Sequence, residues 1–329
     1  MRKLRAGLLA GVLAGGTLAA MTLTGLASTS QAAPSGGALG AAPYLYFGWG
    51  SPPSPTTVMS ASGVRAFTLA FILSNGTCNP QWDGSRSLTG SDQTKINSIR
   101  NAGGDVVPSF GGWSGNKLGE SCGSVSALAG AYQKVINAYK LKAIDIDIEN
   151  TEFSTNSVQD RVLGAVKTIK QNNSGLKVFV TMPVEQNGLE SHGQRLVKQA
   201  VKLGAPVDVW SVMPFDFGGG SGNMATLTTN AVQAVHNQLK SYYSGKSDAE
   251  IYAMQGISSM NGKTDDGETV TLANFKTIQS WANQHHLGRF TFWSANRDRP
   301  CGSGSDADSC GGISQKAWDF SKVVAGFTG

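Results

Sequence analysis

The sequence predicts a single-domain (β/α)8 TIM barrel of the α/β class, and three observations carry that expectation. Short apolar runs alternate with helical patterns, eight of each, which is the signature of β-α-β units built on a parallel sheet. From residue 43 onward no linker, low-complexity tract or repeat marks a second domain, and single barrels commonly occupy about 250 residues or more. No G-x-G-x-x-G follows the first strand, which disfavours an open sheet that binds a dinucleotide.

In chain order, Arg2, Lys3 and Arg5 precede an apolar stretch from Ala6 to Ala27 and the small residues Ser30, Gln31, Ala32 and Ala33. That pattern predicts a secretory signal peptide over 1–32 and an extracellular protein. A membrane anchor is the rival, but Gly7, Gly11, Gly15 and Gly16 interrupt the stretch, and no other run approaches the roughly 18 apolar residues a span needs. Residues 33–42, rich in Gly, Ala, Ser and Pro, are expected to be a flexible leader, and 43–329 the barrel. Strands are predicted at 44–49, 64–73, 105–110, 143–149, 176–182, 207–217, 251–256 and 290–295. Helices between them show the 3.6-residue period: Leu128, Val135, Ile136 and Tyr139; then Val158, Val162, Val166 and Ile169 behind Thr155 or Asn156 as N-cap; then Val232, Val235, Leu239 and Tyr242.

Charge narrows the function. The chain has 27 Lys and Arg against 22 Asp and Glu, and loss of Arg2, Lys3 and Arg5 leaves 24 against 22. The basic residues are scattered, so no stripe suited to nucleic acid forms, and a neutral partner is expected instead. In an oxidising compartment Cys78, Cys122, Cys301 and Cys310 read as disulfides. Local pairing is the simplest of three connectivities, and zinc is the weaker reading because no C-x2-C spacing exists.

The sharpest feature is the run from Ala143 to Glu149, where polar and apolar residues alternate strictly. On a strand this sends Asp145, Asp147 and Glu149 to one face, and Ile144, Ile146 and Ile148 to the other, which suits packing against outer helices. The acids then point into the barrel. Carboxylates crowded in a partly buried space repel one another, and such clusters are kept where shifted proton affinities are used. A Ca2+, Mg2+ or Mn2+ site is the rival. Against it, the nearby strand ends offer little more acid or His, and His285 and His286 precede a strand instead of following one. No metal or cofactor is expected.

These residues resemble glycoside hydrolase family 18, the chitinases and endo-β-N-acetylglucosaminidases, whose fourth strand carries D-x-x-D-x-D-x-E. Asp145, Asp147 and Glu149 fill its last three acidic places. Ser109-Phe110-Gly111-Gly112, followed by Trp113, matches S-x-G-G at the end of the third strand, and Met213-Pro214-Phe215-Asp216 is similar to the sixth-strand M-x-Y-D. Trp293 stands where the family keeps a Trp beneath the reacting sugar. The resemblance implies a monomeric enzyme acting on chitin or N-acetylglucosamine oligosaccharides, with Glu149 as acid, Asp147 orienting the substrate's acetamide and Asp145 sharing a proton with Asp147. Asp216 would hold the acetamide or tune the acid. The sequence departs from the family at Lys142 and Ala143, deep in the strand, and at Phe215, which lacks the hydroxyl that the usual Tyr offers the acetamide oxygen. Gln255, placed near the end of the predicted seventh strand, is expected to supply the missing donor. Two alternatives stand: cleavage of glycans by an endo-β-N-acetylglucosaminidase of the same family, and a lectin that binds chitin without hydrolysis. Such lectins usually lose the acid, and Glu149 is present.

Overall fold

The computed structural model describes residues 37–220 and 222–329. The expected signal peptide and residues 33–36 of the leader lie outside the described residues. The rest of the leader is ordered into the fold: Gly37–Gly40 forms a helical turn, and Ala41 and Ala42 are buried. Among the described residues no helix is long and apolar enough to cross a membrane.

Eight parallel strands form the barrel: β1 (Tyr44–Tyr46), β2 (Ala66–Ser74), β3 (Asp105–Gly111), β4 (Ala143–Asp147), β5 (Lys177–Pro183), β6 (Val209–Met213), β7 (Gln255–Met260) and β8 (Arg289–Trp293). Each pairs with the next in sequence order, and a short antiparallel strand, Pro80–Trp82, adds to the edge of β2. Side chains suture the seam between β8 and β1. Thr291 Oγ1 donates to Ala42 O at 2.6 Å, and Asn296 exchanges two hydrogen bonds with Tyr46, accepting from its N–H at 2.9 Å and donating to its carbonyl at 2.8 Å.

The helices between strands are α1 (Pro55–Ser62), α2 (Ser91–Asn101), α3 (Val125–Tyr139), α4 (Asn156–Asn172), α5 (Ser191–Leu203), α6 (Met224–Tyr242) and α7 (Leu272–Gln284), and α8 (Asp319–Ala325) follows the last strand. The predicted periodic residues of α3 and α4 are all buried, so the helical stripe seats each helix on the sheet as the period requires. Ile144, Ile146 and Ile148 join that outer core, while Ala66, Val107, Ala143, Phe179 and Val209 fill the lower barrel interior. The two faces of β4 are divided as alternation predicts.

One strand was misplaced by the sequence pattern. Ile251, expected to open the seventh strand, belongs to a short helix, Asp248–Ala253, started by a capping box in which Ser247 and Glu250 satisfy each other's backbone N–H groups. Strand β7 therefore begins at Gln255 instead of ending there. The four cysteines form the two local pairs: Cys78–Cys122 and Cys301–Cys310, with Cα atoms 4.6 and 5.2 Å apart.

Candidate active site

Strand β4 carries the acid ladder from the barrel interior to its mouth. Asp145 is fully buried and its oxygens are saturated: Tyr44 Oη donates at 2.8 Å, Ser109 Oγ at 2.6 Å and Thr181 Oγ1 at 2.8 Å, from β1, β3 and β5. The Arg289 guanidinium, from β8, stands 3.8 Å away, donates to Thr68 Oγ1 at 2.7 Å and lies over the Phe179 ring. With its lone pairs so occupied, Asp145 is poorly suited to bind a cation.

Asp147, two residues on, is buried as well, but its Oδ1 has no hydrogen-bond partner among the described residues. Burial raises its carboxyl well above the usual carboxylate range, with Glu149, Asp145 and Glu152 adding to the effect and Lys117 opposing it. Glu149 follows at the strand's end, where it is the N-cap residue of a short helix, Asn150–Ser154, and is partly exposed at the mouth. Burial pushes its carboxyl up to about 7; Lys117 opposes this, and Asp216, Asp145 and Asp265 reinforce it. A group of this kind is only partly ionised at neutral pH.

The Ser109–Trp113 turn lies against this ladder. Gly111 and Gly112 both have positive φ, 103° and 86°, where an L side chain is strained. Space forbids one too: a Cβ on Gly111 would collide with Asp147's carbonyl oxygen, and one on Gly112 would sit 2.7 Å from the Phe71 ring. Gly112 N–H donates to Asp147 O at 2.8 Å, so the turn and the ladder are fixed to each other. Trp113 beyond it is 66% exposed.

The remaining mouth is aromatic on one side and acidic on the other. Trp293 stacks on Phe71 at 5.7 Å and meets Tyr44 and Tyr46, both steeply inclined to it, at 5.9 and 6.2 Å, which forms an aromatic floor. Met213 ends β6, and Phe215 beyond it packs against the outer core. Asp216 adopts a left-handed φ of 54° and accepts from Asp266 N–H at 2.9 Å; burial raises its carboxyl, as do Asp265 and Asp266.

Gln255 does not join this group. At the start of β7 it turns outward, accepting from His236 Nδ1 at 3.1 Å and donating to Val232 O at 3.0 Å, both on α6. The expectation that it replaces the hydroxyl missing at Phe215 is corrected: it sits at the wrong end of its strand and on the wrong face. Conversely, sequence reasoning did not find Tyr44, Thr181, Arg289, Lys117 or Glu152. Glu152 alone left a signal, three residues after Glu149, which puts the two on neighbouring positions once a helix starts there. It is buried and pushed up to about 8 by that burial, with Lys117 opposing and Glu120 adding.

No family model matches the chain. It is 31% identical over 306 residues to the probable bifunctional chitinase/lysozyme of Escherichia coli (strain K12), covering 87% of this chain and 34% of that protein. It is likewise 31% identical over 276 residues to Endochitinase 11 of Metarhizium anisopliae, covering 79% and 52%. The chain thus spans about a third and about half of the length of these two curated relatives. The catalytic domain of the hyperthermophilic chitinase from Pyrococcus furiosus is matched along 93% of its length and 87% of this chain, with 30% identity and a TM-score of 0.79. Catalytic-site mutants of active domain 2 of the Pyrococcus enzyme have been solved with chito-oligosaccharides. With the acid ladder, the glycine turn and the Trp293 floor each in place on the expected strand, the chain belongs to glycoside hydrolase family 18, the family of the chitinases.

Proposed function

We propose that the chain is a secreted, monomeric chitinase that hydrolyses β-1,4 bonds between N-acetylglucosamine units, with retention, by a substrate-assisted mechanism. The observation that carries this reading is the contrast along β4, in which Glu149 sits at the mouth with its carboxyl raised to about 7 above the buried Asp147, whose Oδ1 has no partner among the described residues. Glu149 protonates the leaving oxygen and later activates water. The attacking group is the substrate's own acetamide oxygen. A protein nucleophile would have to act from the opposite side of the sugar within about 5–5.5 Å of the acid, and Asp147 rises from the same strand face, roughly 7 Å back along it.

Asp147, with one oxygen free, accepts the acetamide N–H and stabilises the charge that develops there as the ring of the oxazolinium ion closes. Asp145, held by three O–H donors, anchors the base of the ladder beneath Asp147, whose own carboxyl is raised by burial. Trp293 supplies a flat apolar face beneath the reacting sugar, and the names of the relatives support N-acetylglucosamine polymers as the partner.

Product analysis by NMR tests the reading. Chitin oligomers should be cleaved, with the β-anomer released first through two inversions, and fully deacetylated glucosamine oligomers should be left intact because they lack the attacking oxygen. Freshly released α-anomer would require a single displacement and would overturn the mechanism.

A further inference from the structure

Lys117 is a buried cation that the proposed reaction leaves without a role. It lies in the loop after β3, 2% exposed, just before the short helix Leu118–Ser121. Its ammonium donates to two backbone carbonyls, Gly112 O and Ser114 O, the second at 2.6 Å. Neutral carbonyls satisfy its protons but do not cancel its charge, and an ammonium removed from water needs a field of opposite sign to persist. Burial outweighs the neighbouring acids and lowers its proton affinity, while Glu152, Glu149, Asp147 and Glu120 work in the other direction, toward the charged form.

The same lysine is tied to the ladder through one peptide unit. Gly112 donates its N–H to Asp147 O and accepts Lys117 at its carbonyl. Glu152 closes the opposite side, where its Oε1 accepts from Gly119 N–H at 3.1 Å and its Oε2, buried and unpartnered among the described residues, lies beside Gly111. The charges that act most on Glu149 are those of Lys117, Asp216, Asp145 and Asp265, and on Asp147 those of Glu149, Asp145, Lys117 and Glu152. Arg289 stands near Asp145, so Lys117 is the cation of the upper ladder.

We propose that Lys117 is a positioning residue with two separable effects: its hydrogen bonds hold the Gly111–Gly112 turn against Asp147, and its ammonium charge shifts the pH window in which Asp147 and Glu149 work. The inference rests on the proposed hydrolysis for its catalytic meaning, although the charge effect can be read without turnover.

Lys117→Gln keeps a donor for the two carbonyls and removes the charge, whereas Lys117→Arg keeps the charge. The Glu149 carboxyl is titrated by 13C NMR in the unliganded protein, its resonance assigned by its loss in Glu149→Gln. In Lys117→Gln its midpoint should rise by about half to one unit, and both limbs of the kcat/KM profile on chitin oligomers should move the same way. Lys117→Arg should leave both where they are in the wild type, whatever it does to kcat. A Glu149 midpoint that stays put in Lys117→Gln, or that moves equally in both variants, overturns the proposal. If the wild-type chain fails to hydrolyse the oligomers, the reading of the site falls and the NMR titration still decides the role of the lysine.

Discussion

Asp145 and Glu149 leave the same face of β4 four residues apart, and the barrel treats their charges in opposite ways. Around Asp145 three strands contribute a hydroxyl each and a fourth contributes a guanidinium, so a negative charge there is surrounded by donors. Around Glu149 the neighbours are largely acidic, Asp216, Asp145 and Asp265, and Lys117 offsets them only in part. In the proposed mechanism the same chemical group is a hydrogen-bonded anchor at depth and the proton donor at the mouth. Environment, set by which side chains the neighbouring strands send inward, assigns the roles.

The comparison breaks first at Glu149→Gln. The amide fills the same space without a transferable proton, so turnover should fall by about a thousandfold or more while oligosaccharide binding persists. The melting temperature should hold or rise slightly, because one member of a repelling acidic group is neutralised. In the wild type, kcat/KM should decline as the pH rises through about 7, where the acid loses its proton, and a plateau extending to pH 9 would remove Glu149 from that role.

Asp147→Asn should cost somewhat less, on the order of a hundredfold in kcat, because the amide keeps an acceptor for the acetamide N–H but cannot carry the charge that stabilises the closing oxazolinium ring. Asp145→Asn sharpens the contrast, with the milder loss of turnover, about tenfold, and the greater loss of stability. An amide turns N–H donors toward hydroxyls and a guanidinium that are themselves donors, which costs about 1–3 kcal/mol, measurable by denaturant unfolding. Equal tolerance of the two substitutions in both assays would erase the distinction.

The upper ladder was legible in sequence for a physical reason. A barrel strand has two unlike faces, and when one is all isoleucine and the other all acid the period of two is unmistakable in Ile144–Glu149. The glycine turn was legible because only glycine fits positions that combine positive φ with backbone contact. Lys117 left no sign, and Glu152 left only its spacing from Glu149, since its significance comes from a contact with Gly119, 33 residues away, which no local pattern encodes. The seventh strand failed for another reason. Its sequence, Gln-Gly-Ile-Ser-Ser-Met, is poor in apolar residues because Gly256 faces the interior beside Arg289, and a Cβ there would lie 2.8 Å from the arginine's own. The apolar residues that looked like a strand belonged to the helix before it, whose Ser247–Glu250 capping box was the overlooked sign.

Gln255 tests that corrected register with the smallest expected effect on activity. Its side chain bridges β7 to α6 through His236 and Val232, far from the acids in both height and direction. Because its amide donates to Val232 O, its oxygen is the atom that faces His236 Nδ1, and the imidazole must therefore carry a proton there. Gln255→Ala leaves that buried N–H without an acceptor, a loss of about 1–3 kcal/mol, and a domain of this size should then melt roughly 2–4 °C lower per kcal/mol. At temperatures well below melting, kcat/KM on chitin oligomers should match the wild type. A tenfold fall in kcat with an unchanged melting temperature would instead put Gln255 at the mouth, as the sequence pattern had it, and would mean that β7 starts earlier and that its top carries the hydroxyl substitute for Phe215.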